Sequence, residues 1–313
     1  MALIFEDRVT SVELHASIIT GLDFSNDGSL LAVTFHPQDE HGKLSEGACV
    51  SVYRTADSSL VAKHGVGFGR GVLLSGDGTQ LYFAAQNAAG DVELRVVALN
   101  GGAPEQLATY SGEMIHALRR DESGQSFAVI GNAAEIWDAS RREVIRFKES
   151  EFPDKLLQAW FSRDGSHLYL YGLHDSTITK LDIPSDRFTD SWEAPQPTGQ
   201  QVIVAPSEQY LVAVGASGGV FVYNMEDDSR FEPSMYDEQA FGQPFLFSHD
   251  SSLLITLEMN LYGQPLPEGQ PITGPELRPG IPTAIASAWN TPMIAYGIKN
   301  RVFWVRLREN EPT

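Results

Sequence analysis

The stretch Leu157-Gln-Ala-Trp-Phe161-Ser-Arg-Asp164-Gly165-Ser-His167-Leu-Tyr-Leu-Tyr171 is two apolar runs joined by a small polar turn. The runs read as strands and the Ser-x-Asp-Gly link as a tight reversal, so the segment predicts a β-hairpin. The same phrase recurs every forty to fifty residues. Its turns are Phe24-Ser-Asn-Asp27-Gly28, Leu74-Ser-Gly-Asp77-Gly78, Arg120-Asp-Glu-Ser123-Gly124, Phe161-Ser-Arg-Asp164-Gly165, Ala205-Pro-Ser-Glu208-Gln209, Phe247-Ser-His-Asp250-Ser251 and Ala288-Trp-Asn-Thr291-Pro292, seven in all. One such unit cannot bury its own apolar faces, so this period predicts a stacked architecture, a β-propeller or solenoid.

Working outward from the fourth turn, Leu157 to Phe161 and His167 to Tyr171 are followed by Asp175 to Asp182 and Arg187 to Trp192, which completes a four-stranded unit. The third repeat divides in the same way, at Ile115 to Arg119, Ser126 to Ile130, Ala134 to Trp137 and Glu143 to Phe147. The fifth offers Gln201 to Val204, Tyr210 to Gly215 and Val220 to Asn224. After the seventh turn only Met293 to Gly297 and Arg301 to Arg306 remain, so that blade lacks a fourth strand. Arg8-Val-Thr-Ser-Val-Glu-Leu14 has the alternation to supply it, which would close the ring and remove its open edge. The sixth repeat carries prolines at 265, 267, 271 and 275, where ladder donors are needed, and its outer half is expected to be irregular. The expectation is an all-β, seven-bladed β-propeller of four-stranded antiparallel blades, closed by the N-terminal strand. It forms one domain over 1–308 with a polar tail over 309–313.

Composition agrees. The chain has 313 residues, 42% of them apolar, enough to bury a large core in seven units. The opening Met-Ala-Leu-Ile-Phe-Glu-Asp-Arg is too short an apolar run for a secretory signal, and no apolar window approaches membrane-spanning length, so a cytoplasmic protein is expected. A single cysteine, Cys49, excludes an internal disulfide framework, and its place among Ala48, Val50 and Val52 predicts a buried thiol in a strand. Lys plus Arg total 22 against 41 Asp plus Glu, a formal net charge of −19. Binding to a phosphate backbone or an anionic membrane needs a basic patch, so neither nucleic acid nor membrane is expected as a partner. The charge keeps the chain soluble and suits a basic protein partner.

The stretch Ala134-Glu-Ile-Trp137-Asp138-Ala-Ser-Arg-Arg-Glu-Val-Ile145 resembles the third strand, Trp-Asp dipeptide and fourth strand of a WD-repeat propeller. Ser51-Val-Tyr53-Arg-Thr55, Thr179-Lys-Leu-Asp182, Phe221-Val-Tyr223-Asn224 and Phe303-Trp304-Val-Arg306 echo the same slot. His15, four residues before Ile19, seven before Leu22 and nine before Phe24, follows the family's upstream rhythm. The resemblance spans the chain and implies a ring that binds protein partners. It departs from the family in one respect: the stabilising network of His, Asp, Ser or Thr and Trp is not complete within any one blade, since His15 and Trp137 belong to different repeats.

Motifs that carry chemistry are sparse. The chain has no Gly-x-Ser-x-Gly elbow, phosphate-binding Gly-x4-Gly-Lys-Ser/Thr loop, His-Glu-x-x-His helix or calcium-loop pattern. Gly65-Val-Gly67-Phe-Gly69-Arg-Gly71 precedes a strand rather than opening a helix, and reads as a link between blades one and two. His36-Pro-Gln-Asp39-Glu40-His41 has donors suited to a divalent ion, within an excursion from Phe35 to Gly47. It is expected to be a solvated loop, and no metal or other cofactor is expected.

In a propeller, the links between second and third strands and those between blades leave on one face. That face is expected to carry Phe35, His36, Asp39, His41, His64, Phe68, Arg70, Tyr110, Phe152, His174, Trp192, Tyr236 and Phe241. Aromatic rings and arginine are enriched in interaction hot spots, although several of these rings would also fit as plugs between blades. The expected function is a non-catalytic protein-interaction scaffold or assembly subunit, with oligomeric state left open. The alternatives are a lactonase-like or hydrolase propeller using His36, His64 and His174, or a small-ligand or glycan-binding module with a site at the channel mouth.

Overall fold

A computed structural model of the chain describes residues 3–14, 17–38, 47–67, 71–111, 115, 117–131, 133–148, 156–172, 177–193, 198–215, 220–227, 229–233, 245–257, 260–267, 269–276 and 282–309. These form seven four-stranded antiparallel sheets. Blade 1 is Ser17–Phe24, Leu30–Pro37, Ala48–Arg54 and Leu60–Gly67; blade 2 is Val72–Leu74, Gln80–Gln86, Val92–Ala98 and Glu105–Tyr110. Blade 3 is Ala117–Arg120, Ser126–Ile130, Ala134–Asp138 and Glu143–Lys148, and blade 4 is Leu156–Phe161, His167–Gly172, Thr177–Asp182 and Arg187–Glu193. Blade 5 is Thr198–Val204, Tyr210–Gly215, Val220–Asn224 and Arg230–Phe231, and blade 6 is Phe245–Phe247, Leu253–Leu257, Asn260–Pro265 and Ile272–Glu276. Blade 7 takes Pro282–Ser287, Met293–Ile298 and Arg301–Glu309 from the end of the chain and Leu3–Glu13 from its beginning. The first strand of every blade touches the first strand of the next, and that of blade 7 returns to that of blade 1, so the seven surround a common axis. No helix among the described residues is long and apolar enough to cross a membrane.

The apolar core lies between blades rather than within them. Neighbouring residues of a strand point to opposite faces of its sheet, so one strand feeds two cores. Leu81, Phe83 and Ala85 pack with Ala32, Val50 and Val52 of blade 1, while Tyr82 and Ala84 pack with Phe127, Val129 and Trp137 of blade 3. The arrangement repeats at each of the seven junctions. Tyr82 and Phe127 meet with ring centroids 4.7 Å apart, and Phe127 stacks on Trp137 at 6.0 Å.

Closure is as expected in kind and longer in extent. Leu3–Glu13 pairs with Arg301–Glu309 from Leu3↔Glu309 to Glu13↔Arg301, with a register shift between Phe5 and Val9, whereas alternation alone marks only Arg8 to Leu14. The early acidic pair Glu6-Asp7 masks the strand in the sequence. Phe5 is buried in the core shared by blades 6 and 7. Gly274 of blade 6 lets its ring in: a Cβ there would stand 2.6 Å from Phe5 Cδ2.

The outer half of blade 6 forms both of its strands despite its prolines, and the expected irregularity is confined to a register shift between Asn260 and Tyr262. Asn260–Pro265 pairs with Leu253–Leu257 on one side and Ile272–Glu276 on the other. Pro265 ends the third strand, Pro267 and Pro271 lie in the connection, and Pro275 sits on the outermost strand. These are the positions where a missing N–H interrupts the ladder least. Cys49 is half-buried rather than buried, its thiol donating to the Gly47 carbonyl at 3.2 Å.

The repeated turns share one construction. In the first, second, fourth and sixth, a serine hydroxyl donates to the aspartate two residues on, over 2.6–2.7 Å: Ser25 to Asp27, Ser75 to Asp77, Ser162 to Asp164 and Ser248 to Asp250. That aspartate also accepts the backbone N–H of Ser29, Thr79, Ser166 or Ser252. The third turn exchanges the two residues, Ser123 donating to Asp121 at 2.8 Å. Gly28, Gly78, Gly124 and Gly165 hold φ near +70°, and where the repeat lacks glycine, Glu208 and Ser251 adopt φ 61° at a steric cost of roughly 1–2 kcal/mol.

Two predictions follow from this scaffold. Phe5→Ala should lose about 3 kcal/mol in denaturant unfolding, and removal of residues 1–14 should lower the melting temperature further; unchanged melting of the truncated chain would refute closure. The second concerns acid. The Ser166 N–H and Ser162 hydroxyl hold the Asp164 carboxyl down to about 2, and the Ser75 hydroxyl and Thr79 N–H hold Asp77 below its ordinary value. Such groups contribute stability that is present above about pH 4, the ordinary carboxyl range, and lost as pH falls toward the folded value. Asp23 and Asp121, raised by burial, act oppositely above pH 4. The melting temperature should therefore fall steeply only below pH 4, and Asp164→Asn should flatten that fall.

Candidate functional site

The first strands run to the axis, and their turns meet at one end of it. Asn290 N–H donates to the Asn26 carbonyl at 3.1 Å, and Asn26 N–H to that of Gly76 at 3.3 Å, linking blades 7, 1 and 2. Asn26 Nδ2 reaches the Glu122 carbonyl of blade 3, whose carboxylate takes Arg163 of blade 4 at 2.8 Å. Arg163 N–H bonds to Pro206 O of blade 5 at 3.0 Å, and Ser207 N–H to Ser251 Oγ of blade 6 at 3.0 Å. The turns of blades 2 and 3 touch through glycines, a Cβ on Gly124 falling 2.5 Å from Gly76 N.

Above this collar lies an axial cavity of about 230 Å³. All seven first strands contribute to its wall, among them Leu22, Leu73, Arg119, Trp160, Ile203, Leu246 and Ile285; His249 and Trp289 come from the turns. The wall combines apolar surface with a few polar groups, the usual composition of a ligand site.

Arg120 is the strut of this region. It leaves blade 3 and reaches blade 1, where Nη2 donates to the Phe24 carbonyl at 2.9 Å and Nη1 to Asn26 Oδ1, with a further bond from Nη1 to Asp121 O at 3.2 Å. Its Nε lies 3.8 Å from Asp23 Oδ2, and its guanidinium faces the Trp289 ring at 6.0 Å. Asp23 Oδ2 accepts the Leu74 N–H at 2.7 Å. Burial pushes the Asp23 carboxyl above its ordinary value, against the opposing pull of Arg120, the Leu74 N–H and Arg119.

Arg119 differs from Arg120. Its side chain is open to water, yet protein surrounds it on every side, as expected of a group standing in the channel. Its recorded bond is from Nη1 to the Leu118 carbonyl, 2.9 Å. Burial pushes the guanidinium down and Asp23 pulls it up; a guanidinium starts so far above neutrality that the charge persists. Gln158 Oε1 and His249 Nδ1 line the same space, buried and without a hydrogen-bond partner among the described residues.

The residues expected on the loop face fare differently. Phe35 and His36 belong to the second strand of blade 1, 7% and 1% exposed, so neither offers the free surface a partner contact needs; the strand Leu30–Pro37 runs further than expected and is covered on both faces, which buries the two adjacent side chains. The ion-binding reading of 36–41 loses His36 to the strand, and Asp39, Glu40 and His41 lie outside the described residues. His64 is half-buried, stacked on Phe83 of blade 2 at 6.0 Å, and burial lowers its pKa. Tyr110 donates from blade 2 to Glu135 Oε2 of blade 3 at 2.5 Å, and Trp192 packs on Tyr169 at 6.0 Å in the core of blades 4 and 5. These rings sit between strands or blades. Phe68, Arg70, Phe152, His174, Tyr236 and Phe241 lie outside the described residues.

Trp137 does not build the network of the WD-repeat family. Its indole donates to Glu135 Oε2 at 2.9 Å, and Asp138 caps its own turn through the Ser140 and Arg141 N–H groups. A second polar cluster, Asp164, His167 and Glu208, has donor atoms mutually within 4.8 Å. Its groups already serve one another: Glu208 Oε1 takes the Tyr169 hydroxyl at 2.6 Å and faces Lys180 Nζ at 3.5 Å, and that ammonium occupies the place of a cation.

The axial residues were missed in the sequence. One signal was there: Arg119-Arg120 puts two charges in a first strand where Leu73-Leu74, Trp160-Phe161, Val204-Ala205 and Leu246-Phe247 are apolar, and Asp23 puts a charge of opposite sign at the place of Arg119 in blade 1. The sequence matches no protein-family model, and no curated protein matches it either.

Replacing Arg120 by Met should destabilise the fold by about 3 kcal/mol, because it strands a half-buried carboxylate and leaves the Phe24 carbonyl and Asn26 amide oxygen without their donor. Arg119→Met, which removes no inter-blade hydrogen bond among the described residues, should stay within about 1 kcal/mol of wild type. Urea unfolding of both variants measures the contrast, and equal losses would contradict the assignment of Arg120 as the strut.

Proposed function

We propose that this propeller is a non-catalytic recognition module, a cytoplasmic assembly subunit that docks a protein partner on its loop-bearing face and holds a small ligand group at its axis. The observation that carries the reading is the axial cavity, where Gln158 Oε1 and His249 Nδ1 have no hydrogen-bond partner among the described residues and Arg119 spends only Nη1, on the Leu118 carbonyl. Buried polar atoms are normally paired, so unpaired ones around an open space favour a ligand. The wall supports holding rather than turnover. Asp23, the carboxylate that would serve as a base, is engaged by the Leu74 N–H beside Arg120, and Arg120 is committed to three acceptors.

The resemblance carried by Trp137-Asp138 supports the protein-docking half, as does the closed ring, which fixes the strand ends that the links join. A net charge of −19 favours a partner with a basic docking surface and disfavours nucleic acid and anionic membrane.

The test compares recovery of proteins from the native host by the tagged chain and by the double variant Arg70→Ala with Tyr236→Ala. In the sequence Arg70 falls between Leu60–Gly67 and Val72–Leu74 and Tyr236 between Arg230–Phe231 and Phe245–Phe247, and melting of the variant is checked first. A stoichiometric partner, reduced about ten-fold in the variant, is expected, as for loss of about 1.4 kcal/mol of contact energy. Equal recovery by both chains, or no protein recovered, would sink the docking half.

A further inference from the structure

We infer that the axial cavity is a binding site for a small hydroxy monocarboxylate, with Arg119 as its anchor. This rests on reading the cavity as a ligand site and adds the chemistry of what fills it. Among the described residues the wall carries two guanidiniums, Arg119 and Arg120, against one carboxylate, Asp23, an excess of one positive charge. In a chain of net charge −19, a small anion is repelled by the overall charge and attracted here, where low-dielectric walls concentrate the field.

Arg120 is fixed by the collar, which leaves Arg119 for the ligand. A guanidinium offers a planar fork of N–H donors that matches a carboxylate in two parallel hydrogen bonds. Asp23 in the same wall opposes a second negative charge, so a monoanion fits and a dicarboxylate or inorganic phosphate does not. Gln158 Oε1 needs a donor, and His249 Nδ1 takes or gives a proton bond according to tautomer. A carboxylate supplies no donor, so a hydroxyl on the same molecule completes the set. Trp160, Trp289, Leu246 and Ile285 face the carbon body. At about 230 Å³ the space is below the roughly 300–1,000 Å³ typical of drug-sized ligands, which points to a few carbons and not a nucleotide.

The experiment titrates the full-length protein with lactate and 3-hydroxybutyrate by calorimetry and saturation-transfer NMR, beside propionate, lactamide, malate and inorganic phosphate. At least one hydroxy acid should bind, with lactamide, malate and phosphate weaker by about ten-fold or more, the scale set by one charge-assisted pair. Arg119→Gln should weaken that binding by about ten-fold with melting unchanged, and Gln158→Leu should weaken the hydroxy acid but not propionate. Lactamide or phosphate binding as well as the hydroxy acid would overturn the monocarboxylate assignment and leave the cavity a ligand site. Binding indifferent to Arg119→Gln would overturn the anchor. If neither hydroxy acid nor any other probe bound, both this inference and the axial half of the recognition reading would fall.

Discussion

Every blade depends on burying both faces of its sheet against its neighbours. Burial is worth roughly 25 cal/mol per Å² of apolar surface, and a lone four-stranded sheet of this composition would leave both faces wet. Phe83 and Tyr82, adjacent in sequence, belong to different cores, so loss of one blade exposes two others. The ring must therefore close, and an N-terminal strand that completes the last blade makes the chain ends mutually dependent. Phe5 shows the consequence: a residue at the start of the chain fills a space bounded by Leu261 and Gly274 of blade 6.

The same closure creates the axis, where apolar packing gives way to polar bonding. Seven first strands cannot converge to a point, and the space left is walled at one end by turns too polar to pack as a core. The turns bind each other instead, and Arg120 crosses from blade 3 to blade 1 to bond a carbonyl and an amide and to stand beside the half-buried Asp23 carboxylate. What the collar does not use, Arg119, Gln158 and His249, faces the cavity. Structural and recognition roles are thus divided between adjacent arginines in one strand, one aimed at the neighbouring blade and the other at the channel.

Much of the fold was legible because the physics that sets it is local. Ser-x-Asp-Gly predicts a turn through hydrogen bonds within five residues, and alternation predicts strands through the pleat alone. The blade 3 strands and the second and third strands of blade 5 fall within a residue or two of expectation. The misreadings arose where placement depended on a distant partner. The strand at Leu3 was hidden by Glu6-Asp7, acceptable on an outermost strand paired on one side. The prolines of blade 6 looked disruptive until the strands they border were known. His36 looked like part of a solvated loop until the strand carrying it extended to Pro37.

The sequence by itself determined the repeat, the turn chemistry, the number of blades and the need for a closing strand, because each follows from short-range stereochemistry and from the count of apolar faces to be buried. Only the tertiary structure decided the axial site. Asp23, Arg119, Gln158 and His249 come from four blades and are separated by tens of residues, and no spacing rule connects them. They meet because ring closure carries the first strands to one axis, and their character as a site depends on which polar atoms the collar satisfies and which it leaves free.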